Sequence, residues 1–539
     1  MSTPARFAAV VCLFLPMSVG ADSCAAAPQS AGEPQAEERR SADVTRIDRS
    51  IQLADNPPMQ VRAWLPPEPP VGDANEFEIR EGFRLVDSLD ELRAALREDG
   101  GRIRLKPGVY RPETPERRAE FERVRRDGRR DSTRKQGILH LSGSENYLDL
   151  RGVTIEFPFS VQGELNKRPH VSSCWLISGR NNTLEGGDFR DVGDRDYPDY
   201  FMAENQFEVL ADGVTFRDCT FVTKGSIPYG YSDYYGKGGP NFGRLNKHGV
   251  VGLGAVRNSR IVGCRFYNGS FGHCLHFHGA DGVLVEDCYL TGALRPTADI
   301  LRETVGRAVD YDYHIMFRGR TPIPGDQMIP LTEDAIRTYN DDKNIVVRNT
   351  VVERHRGGLQ LLCEGDVLVE NVTIRECGDF GFDLSGGKEG RVVMRNCFGD
   401  LAYNPLFNLS RGRAPDGGFF ELTLIDPADD VRPTPRTSLG TICGDACTFV
   451  LHDRTTRESA PETNVLLCGG RKPLRKSTIS NYGRTQLVLK KNVEDCTIIT
   501  AGEVVDEGQR NRVIRIEPMT TPTPAASAAP GQPAADDLP

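Results

Sequence analysis

The sequence predicts an all-β solenoid, a parallel β-helix, on three observations. First, a quartet recurs. It reads Phe-Arg-Asp-Cys at 216–219, Ile-Val-Gly-Cys at 261–264, Val-Glu-Asp-Cys at 285–288 and Val-Arg-Asn-Thr at 347–350. Val-Glu-Asn-Val at 369–372, Met-Arg-Asn-Cys at 394–397 and Val-Glu-Asp-Cys at 493–496 continue the series. The steps between last residues are 45, 24, 62, 22, 25 and 99. Three steps are one period, 45 reads as two, 99 as four, and 62 as one plus an insertion of about 38 residues, which is a solenoid signature. Second, each period carries another short run, as in "VVGLGA", "CLHFHGA", "GLQLLCEG", "GFDLSGG" and "PLFNLSRG". Alternation there puts Leu253, Phe277, Leu361, Leu384 and Leu409 on one face. Third, no period holds an uninterrupted helical stretch or a leucine-rich frame, which excludes the helical and leucine-rich solenoids. Each coil then stacks about 4.8 Å above the last.

In chain order, residues 1–21 read as a signal peptide, with Arg6, the apolar "FAAVVCLFLPMSV" and a small-residue site at Val19-Gly20-Ala21. The apolar run is too short for a mature bilayer span, so a soluble secreted or periplasmic protein is expected. Residues 22–79 form a low-periodicity extension and 511–539 a Pro/Ala-rich tail, both read as unfolded. The β-helix is assigned to 80–510. Its entrance is "SLDELRAALRED", a short helix with a Ser88/Glu91 capping box, followed by the strand "GRIRLKPGVYR" at 101–111. A helix over the first coil covers an exposed apolar end.

That helix, the "IRLKPGVY" strand and the Asn/Asp-Cys coils resemble the pectin-lyase-like superfamily of right-handed β-helices. The resemblance implies a right-handed turn and a secreted polysaccharide-active protein, the superfamily including lyases, hydrolases, epimerases and adhesins. Fourteen cysteines read as an interior ladder of small apolar thiols at 219, 264, 288, 397 and 496 rather than as cross-links. Cys443 and Cys447 form one candidate disulfide.

With Leu275 and Phe277 facing in, His276 and His278 face out. Stacking puts His276 in column with Gly252, Gln360, Asp383 and Asn408, and His278 with Gly254, Ser385 and Ser410. Lys247, His248 and Arg356 border the column. The candidate catalytic set is therefore His276, His278, Lys247, His248, Arg356 and Asp383; the substrate-binding set is Gln360, Asn408, Tyr231, His314, Arg337 and Tyr339. Clustered histidine with cations and a carboxylate suits acid–base chemistry near neutral pH. The plain alternative is a solvated polar sheet face. Insertions at 222–249 and 291–343 flank the column. Tyr229, Tyr231, Tyr234 and Tyr235 in the first either stack on sugars or pack the loop. Asp310, Asp312 and His314 share one face of the second.

A net charge of −9 argues against nucleic acid as partner. The expected reaction is β-elimination on an anionic, uronate-containing polysaccharide. It needs the uronate carboxylate neutralised, by Arg356, Gln360 or His278, and a base, His276 or Lys247. Calcium on Glu364 and Asp383 is an alternative neutraliser; a metal held by His276 and His278 lacks a third ligand. Alternatives are a glycoside hydrolase pairing Asp383 with Asp310, Asp312 or Glu364, and a non-catalytic polysaccharide-binding protein. "GHCLHFHG" resembles the Gly-His segment of polygalacturonases, but the paired Asp341-Asp342 follows it instead of preceding it.

Overall fold

The computed structural model describes residues 62–63, 66, 68, 81–113, 135–165, 171–193, 203–225, 230–231, 247–305, 309, 325–339, 341–386, 390–403, 405–410, 414–428, 438–456 and 464–517. They form a parallel β-helix. One face is a 13-stranded parallel sheet; a 21-stranded sheet and a short three-stranded parallel sheet of Gly444–Asp445, Leu474–Arg475 and Val493–Glu494 complete the wall.

The quartet is the corner of each coil. Its third residue has positive φ every time: 52° at Asp218, 67° at Gly263, 54° at Asp287, 51° at Asn349, 53° at Asn371, 50° at Asn396 and 54° at Asp495. A Cβ crowds the following carbonyl in this left-handed conformation, and Gly, Asn and Asp tolerate it best. The corner then turns the fourth residue inward. Cys219, Cys264, Cys288, Thr350, Val372, Cys397 and Cys496 are all buried. The sulfhydryls of Cys219, Cys264, Cys288, Cys397 and Cys496 each donate to the carbonyl two residues back, at 3.1–3.4 Å.

Twelve described cysteines are unpaired and buried. The Cys443–Cys447 disulfide is not formed: Cys443 Sγ donates to the Leu409 carbonyl at 3.0 Å and Cys447 Sγ to that of Pro415 at 2.9 Å. Burial pushes the Cys443 thiol up to about 11 and the Cys447 and Cys397 thiols to about 12. The buried core also holds an aromatic stack in which Trp175 stacks on Phe207 at 5.5 Å and Phe221 on Phe266 at 4.7 Å.

The step of 62 is one coil with an insertion, since Val285 pairs with Val347. The step of 45 is likewise a single coil, because Phe216 pairs directly with Ile261; the 222–249 insertion has nearly the length of a coil and imitates one. The helix spans Leu89–Ala95, with Ser88 Oγ accepting from the Glu91 N–H at 3.3 Å. Two boundaries move. Arg512–Arg515 is a strand paired with Thr497–Thr500 beyond residue 510, and Arg62–Ala63 pairs antiparallel with Ala293–Leu294 of the second insertion. No helix among the described residues is long and apolar enough to cross a membrane.

The corner geometry predicts that Asp287→Val loses about 1–2 kcal/mol by placing a β-branched residue in the left-handed region. Asp287→Gly should leave stability about unchanged, both measured by denaturant unfolding.

Candidate functional site

The site lies on the 13-stranded face. Register pairs run Glu208 to Gly252, Gly252 to His276, His276 to Arg337, Arg337 to Gln360, Gln360 to Asp383 and Asp383 to Asn408. The predicted column therefore exists, with one rung added: the second insertion returns to the sheet at Ile336–Arg337 and seats Arg337 between His276 and Gln360. His276 is half-buried and His278 exposed. The Tyr339 ring lies 5.5 Å from the His278 ring, and the Arg337 guanidinium stands 5.1 Å over Tyr339. Asp342 fixes this turn by accepting from the Tyr339 and Ala280 N–H groups, each at 2.6 Å.

The floor beside His276 is a buried charge cluster. Its carboxylates come from the second insertion, at Glu333 and Asp334. Lys247 Nζ lies 2.6 Å from Glu333 Oε1. Arg356 donates to Asp334 at 3.2 and 3.0 Å and to Glu333 at 3.3 Å. Burial works against both carboxylates. At the low pH where they titrate, protonated His273 followed by Arg356 and Lys247 overrides it at Glu333, and Arg356 followed by His273 and Arg337 overrides it at Asp334. The Glu333 carboxyl is held down at about 2, and Asp334 below the usual carboxylate range. His273 sits against both. Its Nδ1 accepts from the Asp334 N–H at 3.3 Å, which puts the proton on Nε2, 3.4 Å from Glu333 Oε2. Burial lowers His273 to about 4, so the ring is neutral at pH 7. It lies 6.1 Å from the His276 ring.

Several sequence assignments change. His248 is fully buried and does not reach the column: Nδ1 donates to the Ala203 carbonyl at 2.5 Å and Nε2 to Asp191 Oδ2 at 2.7 Å. Burial opposes its charge, yet Asp191 raises its pKa, making it a structural imidazolium. Arg356 and Lys247 are engaged with Glu333 and Asp334 as described, which removes Lys247 as a base and Arg356 as a free neutraliser. Tyr231 packs its loop, donating to Glu303 Oε2 at 2.6 Å under the Arg295 guanidinium. Asp383 is buried and accepts from Gln360 Nε2 at 2.6 Å and Asn408 Nδ2 at 2.8 Å, so these three form a positioning ladder. His314, Asp310, Asp312, Tyr229, Tyr234, Tyr235 and residues 1–21 lie outside the described residues. Among the described residues no group of three or more His, Cys, Asp or Glu is placed to hold a metal.

Sequence reasoning missed Glu208. A Cβ on Gly252 would lie 2.7 Å from Glu208 Oε2 and 2.8 Å from His276 Cε1, so the bare glycine lets the two approach. The signal was present: "FEVLADG" precedes the 216–219 quartet much as "VVGLGA" precedes 261–264.

The family model described as the right-handed β-helix region matches residues 250–398. The class is a right-handed parallel β-helix. Similar solved structures include PfbA, a surface adhesin of Streptococcus pneumoniae, at 12% identity and TM-score 0.37 over 78% of this chain and 86% of that one. The alginate lyase AlyF-OU02 is 10% identical, TM-score 0.37, over 79% and 87%. DFA-IIIase of Arthrobacter chlorophenolicus without its lid is 12% identical, TM-score 0.33, over 78% and 91%. Likeness at this level carries no argument about what the chain does. No curated protein matches the chain.

Two outcomes follow from the buried charges. His248→Ala leaves the buried Asp191 with only neutral donors, from Gln162, Gln206 and the Lys224 N–H, and should cost about 3 kcal/mol of unfolding free energy. His273 titrates at about 4 in the fold against an ordinary 6.5, so the unfolded chain binds the extra proton first. Stability should therefore fall as pH drops from 6.5 towards 4, by up to about 3 kcal/mol. In His273→Gln that part of the pH dependence of the unfolding midpoint should vanish.

Proposed function

We propose that this chain is an exported carbohydrate-active enzyme, a polysaccharide lyase that cleaves a uronate-containing chain by β-elimination. The observation that carries the reading is the pairing of His276 with Arg337 on adjacent strands, half-buried and beside a fixed charge cluster. Arg337 takes the neutralising role expected of Arg356. Its guanidinium is steadied by Tyr339 beneath it and by Asp334 at 3.8 Å, and a planar fork suits a carboxylate.

In this mechanism the uronate carboxylate sits on Arg337, which stabilises the charge that develops when C5 loses its proton. His276 takes that proton. The C5 electron pair forms the C4–C5 double bond as the C4–O4 bond breaks, and the departing O4 takes a proton from the Tyr339 hydroxyl. Glu333 and Asp334 stay ionised and hold the cations in place. A glycoside hydrolase is the second reading, favoured by the Glu208 carboxylate beside His276 across Gly252; it requires a second, protonated carboxyl across the bond.

Incubation with acidic polysaccharides separates the two. A lyase generates unsaturated ends that absorb in the ultraviolet, and a hydrolase releases reducing ends without that absorbance. His276→Ala should lower kcat by about 10²-fold or more, and Arg337→Ala should lower kcat/KM by a similar factor. Near-normal turnover in either variant overturns that residue's role.

A further inference from the structure

The column is closed on both sides of the His276–Arg337 pair. On the N-terminal side Glu208 is 4% exposed, and Gly252 is buried. On the C-terminal side Gln360, Asp383 and Asn408 are 5%, 1% and 2% exposed. They are also bonded to one another within the protein. Both Asp383 oxygens take amide donors, and Asn408 Oδ1 accepts from the Ser410 N–H at 3.1 Å and Oγ at 2.7 Å. The adjacent strip, two residues further along each strand, is widest open at the same place. It is exposed at His278 and at Tyr339, which is 38% exposed, narrows to half-buried positions at Gly254, Leu362 and Ser410, and shuts at Ser385.

We propose that the site is a short notch for the end of a polysaccharide or for a small oligosaccharide, and not a groove for the interior of a long chain. The proposal rests on the lyase reading for its substrate class. The open length is two rungs, one strand spacing of about 4.8 Å apart, flanked by buried and internally bonded side chains. One or two sugar rings fill it: a uronate carboxylate on Arg337, the ring over His276, and an aromatic face at Tyr339 for the ring beside it. A longer chain finds no exposed polar position on the column beyond Arg337 to add contacts.

The test uses the full chain carrying His276→Ala, titrated calorimetrically with oligogalacturonates and oligomannuronates from dimer to hexamer, beside wild-type digestion of the corresponding polymers. Trimer and hexamer should bind within about two-fold of each other, because no further contacts accrue with length. Wild-type digestion should accumulate mono- and disaccharides while viscosity falls slowly. Affinity that climbs about ten-fold or more from trimer to hexamer, or a rapid early loss of viscosity, overturns the notch and leaves the lyase reading standing. Length-independent binding without any elimination keeps the notch and removes the lyase. Absence of binding by every oligosaccharide overturns both.

Discussion

In-register backbone pairing between successive coils is the constraint on which this molecule depends. Parallel strands hydrogen-bonded residue to residue hold equivalent positions about 4.8 Å apart, so a side chain on one rung has a fixed neighbour on the next. His276, Arg337, Gln360, Asp383 and Asn408 come from stretches separated by insertions and turns, yet pairing leaves them one order in space. The corner makes that order repeatable. A left-handed residue at the third quartet position bends every coil at the same point and aims the following side chain inward.

The second insertion changes what the stack can do chemically. Without it, His276 would neighbour Gln360. With it, the column gains Arg337, and the floor gains Glu333 and Asp334, whose charges organise Lys247 and Arg356. The extension before the solenoid is tied to the same region. Arg62 grips Glu376 at 2.7 and 3.1 Å, the carboxylate that also holds Arg354 at 3.1 Å, and its strand pairs with residues 293–294 of the insertion. The insertion is thus anchored from outside the repeat, and the site's cations are fixed by groups that a coil alone does not supply.

Much of the fold was legible because its determinants are local. An Asn, Asp or Gly recurring before a small inward residue marks a corner, and alternation in "CLHFHGA" marks which histidines face out. The column was legible for the same reason. Burial was not. His248 and Arg356 look like site residues beside Lys247 and His355, but whether a carboxylate such as Asp191 or Asp334 waits in the interior depends on chain that arrives from 57 or 22 residues away. Glu208 escaped notice because the 45-residue step was divided into two coils, which put an imagined rung between its strand and that of Gly252. Arg337 was chosen as a binding residue without its place in the column, since a two-residue strand has no periodicity to read.

The corner sulfhydryls make the solenoid a recorder of its own unravelling. Each of Cys219, Cys264, Cys288, Cys397 and Cys496 belongs to a different coil and is sealed from solvent, so a thiol reagent reaches it only when that coil parts from its neighbours. A stack of nearest-neighbour units opens piecewise, not all at once. The sequence in which these five positions acquire an alkyl group therefore maps which end of the stack lets go first and where the molecule resists longest.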